Sequence, residues 1–383
     1  MADTSATAPR NLMKTALAVL WMYGGRGVGL LWTLALISRL NVGEYGNYGM
    51  AFALMAVIGP PLDNPFTVRA MRESEQRFVA ERSGRFLVGV GLIAAGTALF
   101  AVNYIAWFGL TVAGCEMAFK AYQSEFARNG HADRVWRLDT IRQVASVALA
   151  AAYLFGVDHP TLVTASLFYV SPYVVVVVLA AFAVRGHRPA MPGPPRLIAA
   201  LIGEMFGTAL YLQGDVLLLG FLTNSTVVGY YTICWTVAAA VTAVGQSFGM
   251  TYHEQLRIGG GSLSSGPPLR TTLLIGTGSF MLVLVIGVGL LLSPAPSELA
   301  VAMLIMAAFC GMRTIISVFQ VILYAQRRDL TRLATAVGLV PVKLAAVALL
   351  ARFGAIGAAL ASVAADTLLL VVYSLVLYRR PRS

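Results

Sequence analysis

Twelve apolar runs, each long enough to cross a bilayer, follow one another through this chain with almost nothing between them. Windows of 17–25 apolar residues place them at 15–40, 47–66, 86–102, 104–122, 138–156, 161–184, 197–222, 227–250, 271–292, 298–322, 332–350 and 355–377. No stretch remains for a soluble domain, so function resides in the membrane. The expected fold is an all-α polytopic membrane protein.

The charge pattern sets the expected orientation. Only 12% of residues are charged, against about 25% in soluble proteins, yet the net charge is +11. With the N-terminus placed in the cytoplasm, 23 of the 28 Lys and Arg residues fall on that side, in clusters such as Arg69, Arg72, Arg77, Arg82 and Arg85, or Lys120, Arg128, Arg134, Arg137 and Arg142. Arg39 and Arg352 lie near the opposite face, and Arg26, Arg313 and Lys343 lie within spans. This asymmetry predicts both termini in the cytoplasm, and high Arg, Ala and Gly with only three lysines points to a bacterial inner (plasma) membrane. The asymmetry also accounts for the positive charge through orientation and membrane lipids, without nucleic acid as a partner.

Several chemistries find no support. Cys115, Cys234 and Cys310 lie inside predicted spans without CxxC spacing, and His131, His159, His187 and His253 are scattered, so no metal or disulfide framework is expected. There is no Gly-Lys pair and hence no P-loop. External loops are tiny, which disfavours a glycan polymerase or ligase, and no Ser/His/Asp or paired-carboxylate constellation supplies an enzyme. Met1 to Asn11 is polar, and the following run is too long for a cleaved signal peptide, so it is read as a retained helix.

The stretch from Arg185 to Arg196 carries four prolines and divides the spans six and six, which gives expected lobes at 1–190 and 191–383. Gly259 to Pro268 is read as a loop between spans eight and nine. The halves echo each other: Asn41, Gly46 and Tyr48 after the first span recur as Asn224, Gly229 and Tyr231 after the seventh. Val147-Ala-Leu149 with Phe155-Gly156 recurs as Val347-Ala-Leu349 with Phe353-Gly354. Duplication of an even number of spans predicts two pseudo-symmetric six-helix lobes around a central cavity.

Ionisable residues within spans are costly, about 2.5–3.5 kcal/mol at the bilayer centre on insertion scales, and should face the bundle interior. Arg26 shares a helix face with Tyr23 and Thr33, while Gly25 and Gly29 form a small-xxx-small pair. Glu204, Thr208, Tyr211 and Asp215 form one stripe, and Arg313, Ser317, Gln320 and Tyr324 repeat its spacing. Lys343 follows Pro341, Asp366 shares a side with Ser362 and Tyr373, and Glu116 lies in span four. Two readings stay open. In one, the basic residues neutralise Glu204, Asp215 or Asp366 as structural pairs. In the other, Arg26, Tyr23, Arg313, Gln320, Lys343 and Tyr211 bind an anionic substrate, while Asp215, Glu204 and Asp366 couple transport to H+ or Na+, with no other cofactor. The aromatic run from Tyr230 to Trp235 is read as interface and packing.

These residues resemble a family. The segment from Arg39 to Tyr48 looks like the first-span exit of Wzx-type polysaccharide flippases, in the multidrug/oligosaccharidyl-lipid/polysaccharide exporter superfamily. Tyr211-Leu-Gln-Gly-Asp215 followed by Val228-Gly-Tyr-Tyr231 is similar to its seventh-span signature, and Phe353 to Ser362 to its last-span entry. The resemblance implies alternating access and movement of a polyprenyl-diphosphate-linked oligosaccharide to the outer leaflet. It also implies a polysaccharide polymerase or glycosyltransferases as partners, a diphosphate-facing role for Arg26 and an acidic role for Asp215. The third and fourth spans are compressed, and the two extra helices of the lipid II flippases are absent. A cation-coupled multidrug exporter on the same fold is the alternative.

Overall fold

A computed structural model describes Trp21, Gly24, Gly25 and residues 27–70 and 72–378. Among these residues, regular structure is helical throughout. The long helices are α1 Gly27–Arg39, α2 Val42–Ala70, α3 Glu75–Ala98, α4 Tyr104–Arg128, α5 Ala132–Gly156, α6 Leu162–Val184, α7 Pro195–Leu222 and α8 Ser225–Thr251. The short α9 His253–Ile258 precedes α10 Leu269–Leu291, α11 Ser297–Ala325, α12 Asp329–Leu350 and α13 Gly354–Tyr378. Length and composition alone qualify seven helical stretches for crossing a membrane, the last of them, Thr331–Tyr378, running over α12 and α13. The chain is a multi-pass membrane protein. α2, with its glycines, prolines and tyrosines, and α3 and α4, with their ionisable residues, are less uniformly apolar.

The expected spans fall on these helices, with three departures. α3 begins at Glu75 rather than near residue 86, so Arg77, Arg82 and Arg85 are helical and not part of a cytoplasmic loop. Arg142, counted among the charges of the cytoplasmic side, lies buried inside α5. A short helix not expected from the sequence, α9, follows α8 directly and leaves the Gly259 to Pro268 loop with its expected bounds. The tight turn expected near Asn103 is present: its side chain accepts a hydrogen bond from Ala106 N at 2.9 Å and starts α4.

The chain forms two compact units, Met1–Phe206 and Gly207–Ser383, and the division falls within α7. In membranes helices associate through close packing rather than hydrophobic transfer, and small residues permit it. In the N-terminal unit Gly89 and Gly114 bring α3 and α4 into backbone contact, since a Cβ on Gly89 would meet Gly114 O at 2.8 Å. In the C-terminal unit Gly276 sits against α11, where a Cβ would meet Ile315 at 2.7 Å. The Gly25/Gly29 pair instead receives a side chain: Cβ atoms there would meet Gln143 at 2.9 and 3.2 Å.

The repeated Asn and Tyr residues occupy corresponding places in each unit. Asn41 Oδ1 accepts from Glu44 N at 2.9 Å at the start of α2, and Asn224 Oδ1 accepts from Val227 N at 3.0 Å at the start of α8. Tyr48 is buried and its hydroxyl accepts from Trp32 Nε1 of the preceding helix at 2.8 Å. Tyr231, likewise buried, donates to Asp215 of its preceding helix at 2.5 Å.

The linker between Val184 and Pro195 is non-helical, turns at Gly186 and Gly193, and packs on α3. Ala190 N donates to Ala80 O at 2.9 Å, and Arg77 donates to Met191 O at 3.1 Å. Gly84 makes room for it, because a Cβ there would overlap Ala190 O.

Candidate functional site

Each unit buries one polar cluster. In the N-terminal unit, Asp63 of α2 is the centre. Arg85 of α3 grips it with two parallel bonds, Nε to Oδ1 and Nη2 to Oδ2, both 2.7 Å. Thr67, one turn on from Asp63, donates to Oδ2 at 3.1 Å and accepts from Arg85 at 3.0 Å. Lys120 of α4 reaches Oδ2 more loosely, at 3.3 Å, and is 39% exposed. One turn before Lys120 on α4, Glu116 accepts from Tyr173 and faces Arg142 of α5 at 3.3 Å. Arg142 also pairs with Asp139 at 2.7 Å and lies over the Tyr173 ring at 4.6 Å, while its Nε and Nη1 are buried without hydrogen-bond partners.

A cavity of about 380 Å³ opens beside this cluster, lined by Asp63, Arg85, Glu116, Lys120, Asp139 and Trp136 among others. Its walls come from the C-terminal parts of α2 and α4 and the N-terminal parts of α3 and α5. The same parts of α2 and α3 carry a second ionic group beyond the apolar run of α2, in which Arg69 binds Glu81 at 2.9 Å and Glu73 at 2.6 Å. Acceptance by Glu81 raises the Arg69 guanidinium above its ordinary value.

In the C-terminal unit, Asp215 of α7 is enclosed. Lys343 Nζ of α12 lies 2.6 Å from Oδ2, Tyr231 donates to the same oxygen at 2.5 Å, Ser362 of α13 donates at 3.2 Å, and Val216 N binds Oδ1 at 2.9 Å. Lys343 also donates to Tyr211 O at 2.8 Å and lies over the Tyr211 and Trp235 rings at 5.2 and 5.6 Å. Beside it, Tyr211 donates to Asp366 Oδ1 at 2.6 Å, and Arg313 of α11 reaches the same carboxylate at 3.3 Å. Desolvated charges persist only when their hydrogen-bonding capacity is met, and these carboxylates meet it with protein donors.

Of the residues read from the sequence, Tyr211, Asp215, Arg313, Lys343 and Asp366 come together in this one cluster. Gln320 stands half-buried two turns beyond Arg313 on α11. Glu204 is exposed, on the part of α7 that belongs to the N-terminal unit. Arg26 and Tyr23 lie outside the described residues. The N-terminal cluster went unread apart from Glu116. Its available signal was Asp63, the one carboxylate inside the 47–66 run, which requires a basic partner.

No protein-family model matches the chain, and no curated protein matches it in sequence. Solved structures do match, over nearly the whole length. The lipid II flippase MurJ in an inward closed conformation aligns with TM-score 0.70 at 13% identity, covering 96% of this chain and 88% of that one. An inward-facing multidrug resistance MATE family transporter of the MOP superfamily aligns with TM-score 0.63 at 11% identity, covering 96% and 98%. The fold is that of MOP-superfamily transporters. The MATE multidrug transporter DinF-BH aligns with TM-score 0.62 at 14% identity, covering 98% and 96%. At these identities the likeness concerns architecture, and the chemistry rests on the clusters described above.

Proposed function

We propose that this protein is a secondary transporter that flips a polyprenyl-diphosphate-linked oligosaccharide from the cytoplasmic to the outer leaflet by alternating access, for cell-surface polysaccharide synthesis. The observation that carries this reading is Lys120, a partly exposed ammonium on the wall of the N-terminal cavity, held to Asp63 by one loose contact. Arg85 already neutralises Asp63 through two short bonds, so Lys120 is the cation with capacity for a diphosphate. Asn64, Gln123 and the half-exposed Trp136 on the same walls suit sugar hydroxyls and a pyranose face. A cavity of about 380 Å³ accommodates a diphosphate and the first sugar, while the prenyl tail stays in the bilayer. Architectural likeness to a lipid II flippase supports a lipid-linked cargo. For coupling to H+ or Na+, Asp366 is better placed than Asp215, because its arginine partner stands at 3.3 Å while Asp215 is closed by Lys343 at 2.6 Å.

Export of cationic drugs is the second reading, and one observation favours it: Asp63, Glu116 and Asp139 line the same cavity, three carboxylates against two basic residues. Deleting the gene and assigning the polyprenyl-linked intermediates to a leaflet separates the two. Under the first reading, intermediates accumulate on the cytoplasmic leaflet, and Lys120→Gln or Arg26→Ala fails to restore flipping although the protein remains folded in the membrane. An unchanged lipid-linked pool, together with resistance to cationic dyes on expression, establishes the second.

A further inference from the structure

The C-terminal unit has a basic cavity that the transport reading does not use. It measures about 590 Å³ and is lined by His253 and Arg257 of α9, Gly260, and Tyr324, Gln326 and Arg327 at the end of α11. Among the described residues no ion pair within 4.0 Å engages Arg257 or Arg327, although Glu254 stands one turn before Arg257. Both arginines follow or end a helix, where a cation also complements the terminal carbonyls. Those carbonyls are already taken by backbone donors. Gly261 N binds Leu256 O at 2.8 Å, Arg327 N binds Tyr324 O at 3.0 Å, and Arg328 N binds Leu323 O at 3.1 Å. The two exposed guanidinium groups therefore keep their fork of donors for an outside acceptor.

Two buried polar atoms point the same way. His253 Nδ1 and Gln326 Oε1 have no hydrogen-bond partner, although Gln326 Nε2 is anchored on Gly261 O at 2.9 Å. A ring nitrogen suits a phosphate oxygen, and an amide oxygen suits a headgroup hydroxyl. Arg327 adopts φ 56°, a conformation in the left-handed region that few residues other than glycine enter readily, and it holds its side chain at this turn. Beyond the turn, Arg332 lies over the Tyr324 ring at 5.3 Å, and an apolar groove runs along Ala334, Thr335, Gly338 and Leu339 of α12 and Val372 of α13. Cations at the end of a membrane helix beside an apolar groove match a ligand with an anionic head and a hydrocarbon tail.

We propose that this cavity binds the phosphate of an anionic glycerophospholipid, with the acyl chain along the α12/α13 groove. The test is thermal unfolding of the full-length protein in detergent, titrated with phosphatidylglycerol, phosphatidylcholine or inorganic phosphate. Phosphatidylglycerol stabilises the protein and phosphatidylcholine does not. Arg257→Gln with Arg327→Gln weakens the apparent affinity for phosphatidylglycerol roughly tenfold or more, as two basic residues at an anionic headgroup require. Arg134→Gln with Arg137→Gln, on the exposed face of α5, leaves it unchanged. Arg257→Gln alone, an exposed change away from the strained turn, weakens it by a smaller factor and serves if the pair fails to fold. An undiminished response in the Arg257 variants overturns the proposal. An equal response to inorganic phosphate overturns the lipid as the source of the anion.

Discussion

Lys343 Nζ stands 2.6 Å from Asp215 Oδ2, with the two side chains 2% and 0% exposed. The pair ties α12 to α7 and is completed by Tyr231 and Ser362, so it behaves as one neutral, satisfied unit rather than as two charges. Lys343→Met leaves Asp215 charged and buried, at a cost of about 3–5 kcal/mol, whereas Asp215→Asn combined with Lys343→Met regains most of that loss. Thermal unfolding of the two single variants and the double variant measures the coupling. Additive losses would show that the pair contributes no interaction energy.

Asp63 holds one tight basic partner and one loose one in the other unit. Arg85→Ala strips the carboxylate of its two 2.7 Å bonds and destabilises the protein by about 3–5 kcal/mol, and Arg85→Lys recovers only part because it loses the paired geometry. Lys120→Gln removes a partly exposed ion pair worth about 0–1 kcal/mol, so unfolding barely moves while flipping of a lipid-linked oligosaccharide in proteoliposomes is lost. Equal effects of Lys120→Gln on unfolding and on flipping would place it in the scaffold.

The docked linker depends on Gly84. Gly84→Leu drives a side chain into Ala190 O and breaks the Ala190 N to Ala80 O bond, so the segment 186–194 becomes accessible to protease while the helices stay protected. Limited proteolysis followed by mass spectrometry of the fragments reads this directly. A cleavage pattern identical to wild type would mean that the linker tolerates the added volume.

The repeated Asn and Tyr residues differ in one measurable respect. Asn41→Ala and Asn224→Ala each cost about 1 kcal/mol, since each removes one N-terminal cap. Tyr231→Phe costs more than Tyr48→Phe, because Tyr231 donates to a buried carboxylate while Tyr48 accepts from a neutral indole. Unfolding of the four variants under one condition tests the ranking.

Helix positions were legible because a bilayer demands long apolar runs, and 197–222 or 298–322 can hardly be anything else. The side of α13 that carries Ser362, Asp366 and Tyr373 was legible for the same reason: helical spacing puts them together, and all three are buried. That Arg82, Arg85 and Arg142, read as charges of the cytoplasmic side, are buried was not legible. Their partners Glu125, Asp63 and Glu116 come from other helices, and no local pattern announces them. Along the α7 stripe Tyr211 and Asp215 are buried and Glu204 is exposed, because a helix face can change its neighbours along its length.

Local sequence therefore determined what is governed by local physics: helix length, caps at Asn41, Asn103 and Asn224, and the proline-rich break after Val184. Tertiary structure decided which buried charges meet, because pairing Asp215 with Lys343 or Asp63 with Arg85 depends on helices brought side by side by packing. In a low-dielectric interior that choice sets whether a carboxylate is closed by a lysine, as at Asp215, or stands beside a cavity with a cation to spare, as at Asp63.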